Sequence, residues 1–412
     1  MRQLSWYKLD NIGKFYSAVS SKQVQNVFRF SVTLKEKVDE NCLQKAVDHT
    51  LLLFPSFHVH LRKGFFWYYL DESDRKYEVG EENLPICFRL YNNRRDFLFR
   101  VSYYKRRINF EVSHILSDGR GSIEFFKILI EYYLKEKYHL KKTVTSPSSY
   151  QEKEEDSFEK YYRKVHLRDL KPKNKTKIYR YHGRKMNQTR YLEVHMPVSK
   201  VLAKAHEYDC SLTTFLSSVL IFSFAPLMSE NDLKKMVKID IPVDLRPYFP
   251  SFSSKNYFGL ASIEYCFAKR DDDLQKITEI VRSELQEKLT AKSLSVRVNQ
   301  MVSFEKNPFC RVAPLGVKNL VLRIIDAVVA GKSTTTISNL GKIDFGDSFD
   351  SYIENVNVLT STQGFQMTIC SFQDNLSIGI ASRYKYHDGI RNFCNYFSNC
   401  GIPVTINVSE VK

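Results

Sequence analysis

The feature that most constrains the fold of this chain is a strand pattern that passes, over a few residues, into a helix pattern. Residues 107–112 alternate apolar and polar side chains, which predicts a half-buried β-strand. Residues 119–137 repeat apolar side chains at helical spacing, and Asp118 stands where a helix N-cap is expected. The segment between them, Ser113-His114-Ile115-Leu116-Ser117-Asp118-Gly119, must therefore form a tight turn that holds its side chains rigidly.

His114 and Asp118 in this turn suit proton-transfer chemistry. A histidine titrates near neutral pH and serves as a general base when it is held beside a pocket. An aspartate four residues later can fix the loop through a salt bridge, although both residues also have purely structural interpretations, as a hydrogen-bonded histidine and a helix cap. A metal role is not favoured, because the sequence offers no convincing third ligand.

Helix and strand patterns alternate along the whole chain, which indicates an α/β or mixed α+β fold. With 412 residues and 43% hydrophobic residues, the chain is large enough for two or three domains. The main predicted helices are 39–53, 119–137, 199–207, 211–225, 271–290 and 388–399. The predicted strands are 26–34, 57–70, 86–91, 97–104, 107–113, 189–196, 236–242, 258–267, 334–338, 351–359, 365–371 and 375–383.

The spacing His114-x-x-x-Asp118-Gly119 after a strand resembles the active-site motif of the CoA-dependent acyltransferase superfamily, which includes chloramphenicol acetyltransferase, plant acyltransferases of the BAHD type, alcohol acetyltransferases and the condensation domains of nonribosomal peptide synthetases. Four further segments resemble this group in the same order along the chain. They are a helix at 42–57 followed by the aromatic segment 64–69, the helical segment 211–222, the stretch Ile241–Pro247 with Asn256-Tyr257-Phe258-Gly259, and Ile337-Ser338-Asn339-Leu340-Gly341.

The resemblance implies two chloramphenicol-acetyltransferase-like subdomains, each a mixed sheet with packed helices, and an active-site channel between them. The expected boundaries are an N-terminal subdomain at 1–140, a charged crossover linker at 141–176 and a C-terminal subdomain at 177–412.

The resemblance also implies a role for each residue of the motif segments. His114 would be the general base and Asp118 would hold its loop by pairing with Arg246 from the second half. Gly119 would permit close backbone approach. The candidates for donating to the developing oxyanion are Ser338, Asn339 or a backbone N–H near Gly119, and Ser338 and Asn339 are also candidates for contacting substrate.

Two differences from the motifs of other branches narrow the choice of branch within the superfamily. Condensation domains usually carry two adjacent histidines, whereas Ser113 precedes His114 here. The "DFGWG" segment of plant enzymes is matched only by 344–348, which lacks the tryptophan. The alcohol acetyltransferase-like branch is therefore the expected one.

The formal net charge of +16 indicates an affinity for polyanions. Residues 141–190 contain 15 Lys or Arg and 6 Asp or Glu, a local net of +9. CoA phosphates, an acidic acyl carrier protein, nucleic acid and an anionic membrane all fit this charge, as does a solvated surface without a partner. Nucleic acid is not expected, because no DNA- or RNA-binding motif is present.

Neither a signal peptide nor a membrane span is expected. The N-terminus has no apolar region of the signal type, which favours a cytoplasmic protein. The uncharged stretch Cys210–Ser229 contains many Ser and Thr residues and Pro226, so it is better interpreted as a buried helix.

The resulting hypothesis is an acyltransferase that moves an acyl group, acetyl first among the candidates, from acyl-CoA as co-substrate to a small alcohol or amine, with no bound cofactor and no metal. Two alternatives remain open. One is a condensation-type transferase whose donor is carried by a carrier protein, and the other is a non-catalytic binding module of the same fold.

Overall fold

A computed structural model describes residues 5–20, 26–91, 93, 95–141, 144, 149–163, 176–181, 183–267, 273–329 and 332–409. The strands are β1 Trp6–Lys8, β2 Val27–Leu34, β3 Val59–Lys63, β4 Tyr68–Glu72, β5 Gly80–Glu81, β6 Phe99–Tyr104, β7 Arg107–Ser113, β8 Lys185–Pro197, β9 Val237–Asp244, β10 Phe258–Tyr265, β11 Thr335–Lys342, β12 Ile353–Thr360, β13 Phe365–Phe372, β14 Asn375–Tyr384 and β15 Thr405–Val408.

Helices lie between these strands in both halves. They are α1 Asn11–Val19, α2 Glu40–Leu53, α3 Gly119–Tyr138, α4 Tyr150–Glu154, α5 Ser157–Lys160, α6 Val198–Glu207, α7 Leu212–Phe224, α8 Glu230–Leu233, α9 Leu274–Lys288, α10 Ala291–Lys306, α11 Pro308–Val312, α12 Leu315–Val329, α13 Asp347–Asp350 and α14 Asp388–Asn399. Several begin after a side chain that accepts a free backbone N–H of the first helical turn: Asp10 for α1, Asp39 for α2, Asp118 for α3 and Ser211 for α7.

Two principal sheets form the two halves. The N-terminal sheet has the order β12-β2-β7-β6-β5, and a small sheet, β1-β4-β3, accompanies it. The C-terminal sheet has the order β10-β9-β11-β13-β14-β8-β15, and it mixes parallel and antiparallel pairs. The predicted mixed α/β architecture with two halves is confirmed.

Strand β12 departs from the predicted boundaries. It lies within the expected C-terminal subdomain 177–412, yet it pairs antiparallel with β2 and completes the N-terminal sheet. The two sheets touch where Gly379 of β14 passes under β12, since a Cβ at Gly379 would lie 1.9 Å from the Val358 carbonyl oxygen. The chain therefore exchanges a strand between halves instead of dividing cleanly at residue 177.

The sequence prediction of a strand at 86–91 is wrong. These residues form turns, and Cys87 has a φ of +52°, which a strand does not allow. The Cys87 N–H donates to the Glu111 carboxylate at 2.7 Å instead of to a neighbouring strand. The predicted strand at 57–70 is also two strands, β3 and β4, because Gly64–Trp67 forms the hairpin turn between them.

Residues 149–163, the longest described part of the linker, pack against both halves. Lys153 lies over the ring of Phe54 in the N-terminal half, and the Ser157 hydroxyl hydrogen-bonds Ser251 of the C-terminal half. Phe158 joins a small buried cluster with Ile12 of α1 and Tyr257. Much of the remaining basic linker, including 164–175, lies outside the described residues.

Candidate active site

His114 lies at the end of β7, where the backbone turns toward α3, and both halves of the chain hold it. Its N–H donates to the carbonyl oxygen of Asn26 at 2.9 Å. Its own carbonyl oxygen accepts from the side-chain amide of Asn256, also at 2.9 Å. The histidine is therefore fixed at the junction between the halves by contacts from each of them.

Aromatic rings surround the imidazole. Tyr16 of α1 stacks on it at 4.9 Å between ring centroids, and the rings of Phe28 and Phe258 lie at 4.6 and 6.0 Å. Burial in this apolar cage lowers the pKa of His114 to about 4, although Asp118 and Asn256 both act to raise it. Part of the residue remains exposed to solvent. At neutral pH the imidazole is therefore uncharged and can accept a proton.

The Nδ1 atom of His114 and the side-chain oxygen of Asn256 have one property in common. Within the described part of the chain, Nδ1 is buried and makes no hydrogen bond of normal geometry, and the same is true of the Oδ1 atom of Asn256. A side-chain interaction with Asn256 nevertheless raises the histidine pKa. Asn256 thus acts on His114 in two ways, through its hydrogen bond to the His114 carbonyl oxygen and through the effect of its side chain on the imidazole pKa.

Asp118 caps α3 and joins the two halves. Its carboxylate accepts from the backbone N–H of Gly121 and of Tyr257, each at 2.7 Å. It also accepts from the Arg246 guanidinium at 3.1 and 3.2 Å. The structure thus brings Asp118 and Arg246 together across the junction, and it satisfies both oxygens of the carboxylate.

Arg246 lies beside the end of β9, and its side chain is 10% exposed. Besides Asp118, it donates to the carboxylate of Asp244 at 2.9 Å and to the carbonyl oxygens of Ser253 and Lys255 at 2.9 and 2.8 Å. Burial alone would lower the pKa of Arg246, but the two carboxylates hold it above its ordinary value. The guanidinium therefore stays charged and ties the 244–255 segment to the His114 loop.

Two glycines allow the halves to approach at the start of α3. A Cβ at Gly119 would meet the side chain of Leu340 at 2.7 Å. A Cβ at Gly121 would lie 2.2 Å from the backbone oxygen of Ser254, which cannot move aside as a side-chain end can. Close backbone approach is thus required at Gly121, which the motif does not single out, whereas the contact at Gly119 is with the end of a flexible side chain.

A cavity of about 940 Å³ lies in the C-terminal half and reaches this junction. Its lining includes Thr213 at the start of α7, Arg282 of α9, Asp244 at the end of β9, and Asn339 and Leu340 of β11. Leu340 packs on Gly119, and Asp244 shares Arg246 with Asp118, so the cavity borders the His114 loop. Its volume falls in the range of small-molecule sites.

The two predicted contact residues on β11 differ in position. The Asn339 side chain donates to the Thr213 hydroxyl at 2.9 Å and accepts from the N–H of Gly341 at 2.9 Å, so its polar groups already have protein partners. Ser338 lies half-buried on the same strand and does not belong to the cavity lining. His114 does not line this cavity either.

Sequence reasoning missed a buried carboxylate behind the motif. Asp10 caps α1 through the N–H of Gly13 at 2.7 Å and accepts from the backbone and side-chain N–H groups of Asn256 at 3.1 and 3.0 Å. Burial raises its pKa to about 6, against the effect of these hydrogen bonds. The helix-cap pattern at 10–13 was the available signal for Asp10, but nothing in the sequence linked it to Asn256.

The described residues contain no group of three or more His, Cys, Asp or Glu side chains placed to hold a metal ion. None of their helices is by itself long and apolar enough to cross a membrane, although the bent pair Val198–Glu207 and Leu212–Leu227 passes that test jointly. Most of α7, the second of these, is buried in the C-terminal core.

No family model matches the chain, and no curated protein matches it by sequence. Solved structures do match over nearly its whole length. TRI101 from F. sporotrichioides, complexed with coenzyme A and T-2, has 11% sequence identity and a TM-score of 0.63 and covers 97% of this chain and 99% of its own. Trichothecene 15-O-acetyltransferase TRI3 from Fusarium sporotrichioides has 8% identity and a TM-score of 0.61, covering 95% and 94%.

The epimerization domain of tyrocidine synthetase B is a third match, with 11% identity, a TM-score of 0.59 and 96% coverage of each chain. At these identities the likeness establishes the fold and does not transfer an activity. The chain thus has the two-half fold that acetyltransferases and peptide-synthetase domains share, as its resemblance to the CoA-dependent acyltransferase superfamily predicts.

Proposed function

We propose that this chain is an acyltransferase that moves an acyl group, acetyl first among the candidates, from CoA to an alcohol or amine, with His114 as general base. The observation that carries the proposal is a neutral imidazole on a residue whose backbone is hydrogen-bonded to both halves, to Asn26 in one and to Asn256 in the other. The fold is that of a CoA-bound structure and of an acetyltransferase, which supports acyl transfer as the general reaction.

In the proposed reaction His114 accepts the proton of the acceptor O–H or N–H as the oxygen or nitrogen attacks the thioester carbonyl carbon. The carbon–sulfur bond then breaks, and the departing thiolate of CoA takes up the proton from the imidazolium. No covalent enzyme intermediate is needed, because the thioester is already activated. A positioned base of this kind contributes roughly 10²–10⁴-fold in rate.

Asn256 determines which nitrogen acts in this proposal. A proton on Nδ1 of His114 is directed at the amide oxygen of Asn256, which leaves the lone pair of Nε2 for the acceptor. Asp10 fixes Asn256 in turn, since it accepts from both of its N–H groups. Asn256 and Asp10 are thus positioning residues that act through His114.

The other motif residues are assigned structural and binding roles. Asp118 and Arg246 clamp the two halves, and Gly119 lets Leu340 pack against the loop. We assign the cavity beside this clamp to the CoA donor, because it is large enough and borders the His114 loop. Asn339 and Ser338 are the first candidates for donors to the developing oxyanion. To donate, the side-chain amide of Asn339 must first exchange its hydrogen bond to the Thr213 hydroxyl for one to the oxyanion.

The pH dependence of kcat/KM is expected to reflect the buried imidazole. Because the pKa of His114 is lowered to about 4, the base stays neutral as the pH falls through 6.5. The acid limb of kcat/KM should therefore appear well below the ordinary histidine value of about 6.5. Stopped-time thiol release between pH 4 and 8 measures this, with circular dichroism at each pH to confirm folding. A limb centred near 6.5 would contradict the proposed environment.

The function itself is tested by calorimetric titration with acetyl-CoA, followed in the same sample by free-thiol release with a mixture of alcohols and amines. Saturable binding and thiol release that requires an acceptor are the expected results. Hydrolysis of acetyl-CoA that is independent of acceptor would exclude the proposed transfer.

If the protein does not bind acetyl-CoA, two alternatives remain, a donor held by a carrier protein and a non-catalytic module. The fold also occurs in a peptide-synthetase domain, so an acyl group on an acidic carrier protein would be the next donor to test. Folded protein that neither binds nor turns over either donor would favour a non-catalytic module.

A further inference from the structure

The outer face of α12 is apolar, and no element of the described chain covers it. Each of its exposed aliphatic residues has another at helical spacing, three or four positions away. They therefore form one stripe along the helix. Each is between 39% and 62% exposed: Val317, Leu320, Val321, Ile324, Ile325 and Val328. An aliphatic stripe of this kind on one helix is unusual for a surface that faces only water.

The β3–β4 hairpin extends this apolar surface. Phe65 and Phe66 at its tip are 73% and 43% exposed. The tip is tied to α12, because Leu315 N–H donates to the Phe65 carbonyl at 3.0 Å and Lys318 Nζ donates to the Phe66 carbonyl at 2.9 Å. We call the six α12 residues together with Phe65 and Phe66 the α12 surface.

Basic side chains accompany the α12 surface. Lys63 at the hairpin, Arg311 of α11 and Arg323 of α12 are all exposed. Between residues 306 and 329 the sequence has four basic residues and one acidic residue, the half-buried Asp326. Lys318 is buried and Lys306 pairs with Glu159, so Arg311 and Arg323 supply the exposed positive charge of this segment. The apolar stripe thus lies in a segment of net positive charge, on a chain whose total charge is +16.

We propose that the α12 surface docks on an anionic phospholipid membrane, with α12 lying in the plane of the interface. An apolar helix face with aromatic residues beside it and basic residues around it is the composition of an interfacial helix. Negative lipid headgroups attract Lys and Arg side chains that lie near the membrane surface. A second copy is disfavoured as occupant, since two chains of charge +16 repel each other.

Helix α1 connects the α12 surface to the candidate base, His114. α12 packs on α1, and Arg323 Nε donates to the carbonyl oxygen of Ala18 at the end of α1 at 2.9 Å. Tyr16 of the same helix stacks on His114. Docking does not require the proposed catalysis, so each proposal can fail separately.

Vesicle co-sedimentation of the full chain tests the proposal. The vesicles contain phosphatidylcholine alone or with about 30% phosphatidylglycerol, a content that produces a negative surface potential. The wild-type protein should bind the anionic vesicles at least about tenfold more strongly than the neutral ones, and less as salt is raised. The variant Leu320→Ser/Ile324→Ser/Val328→Ser should bind anionic vesicles at least about tenfold more weakly than wild type.

The chain offers a control with the same three residue types. Leu52, Ile406 and Val408 are 77%, 45% and 61% exposed on α2 and β15, so Leu52→Ser/Ile406→Ser/Val408→Ser removes equal apolar surface elsewhere. This control should bind as wild type does. The proposal is overturned if wild type does not sediment with anionic vesicles or if both triple variants lose binding equally. It is also overturned if sedimentation velocity reveals a dimer that only the α12 variant abolishes.

Discussion

His114→Ala is expected to lower kcat by about 10²–10⁴-fold while the protein remains folded. The reason is that the substitution removes the neutral imidazole that the aromatic cage keeps ready to accept the acceptor's proton. The backbone contacts of residue 114 to Asn26 and Asn256 do not depend on its side chain and should persist. Steady-state thiol release with acetyl-CoA and the acceptor found by screening measures the effect.

Two controls distinguish a lost base from a damaged loop. His114→Gln fills most of the site without supplying a base, so its kcat should fall nearly as far as that of His114→Ala. His49→Ala removes an exposed histidine of α2 and should leave kcat unchanged. Free imidazole should restore part of the turnover of His114→Ala, because a small base can enter the vacated cage. Wild-type turnover in His114→Ala would refute the assignment of His114 as general base.

Much of the candidate site follows from the sequence because it is local. The change from strand period to helix period around His114 and Asp118 specifies a tight turn, and β7 and α3 form on either side of it. The pairing of Asp118 with Arg246 came only through the family resemblance, since 128 residues separate them in the chain. Periodicity marks which side of an element is buried and does not name the distant partner.

The surroundings of His114 were less predictable for the same reason. Asn256, Tyr16 and Phe258 come from three distant segments, and each has an ordinary core or turn interpretation in the sequence. The proposed positioning role of Asn256 rests on its hydrogen bond to the His114 carbonyl oxygen and on its side chain's effect in raising the pKa of His114. Such a relation exists only once the two halves have packed.

The fold shows where sequence patterns mislead. β12 is found close to its predicted position, but its alternation could not reveal that it pairs with β2 of the other half. The sequence patterns do not predict the helices α10, α11 and α12. The apolar residues of α10 face a small core cluster, whereas many of those of α12 face outward. A pattern search that assumes one buried apolar face per helix therefore does not recognise α12.

Arg246→Met is expected to lower the free energy of unfolding by about 3 kcal/mol, near the lower end of the roughly 3–5 kcal/mol typical of breaking a buried ion pair. The substitution leaves the Asp118 carboxylate buried without its cation, although the N–H groups of Gly121 and Tyr257 still satisfy part of it. Urea unfolding at pH 7, followed by circular dichroism, measures the change. Arg106→Met is the matched control, because Arg106 pairs with Glu354 in a half-exposed bridge and its loss should cost under about 1 kcal/mol.

The double variant Asp118→Asn/Arg246→Met separates the ion pair from the other contacts of each residue. The amide that replaces the Asp118 carboxylate is neutral, so the loss of Arg246 should cost less in its presence than in the wild-type background, with a coupling of about 1–3 kcal/mol. Additive losses would mean that Arg246 stabilises the junction only through Asp244 and the carbonyl oxygens of Ser253 and Lys255. In that case the contact between Asp118 and Arg246 would be geometrically present but would not clamp the two halves, and that part of the proposed site would fail.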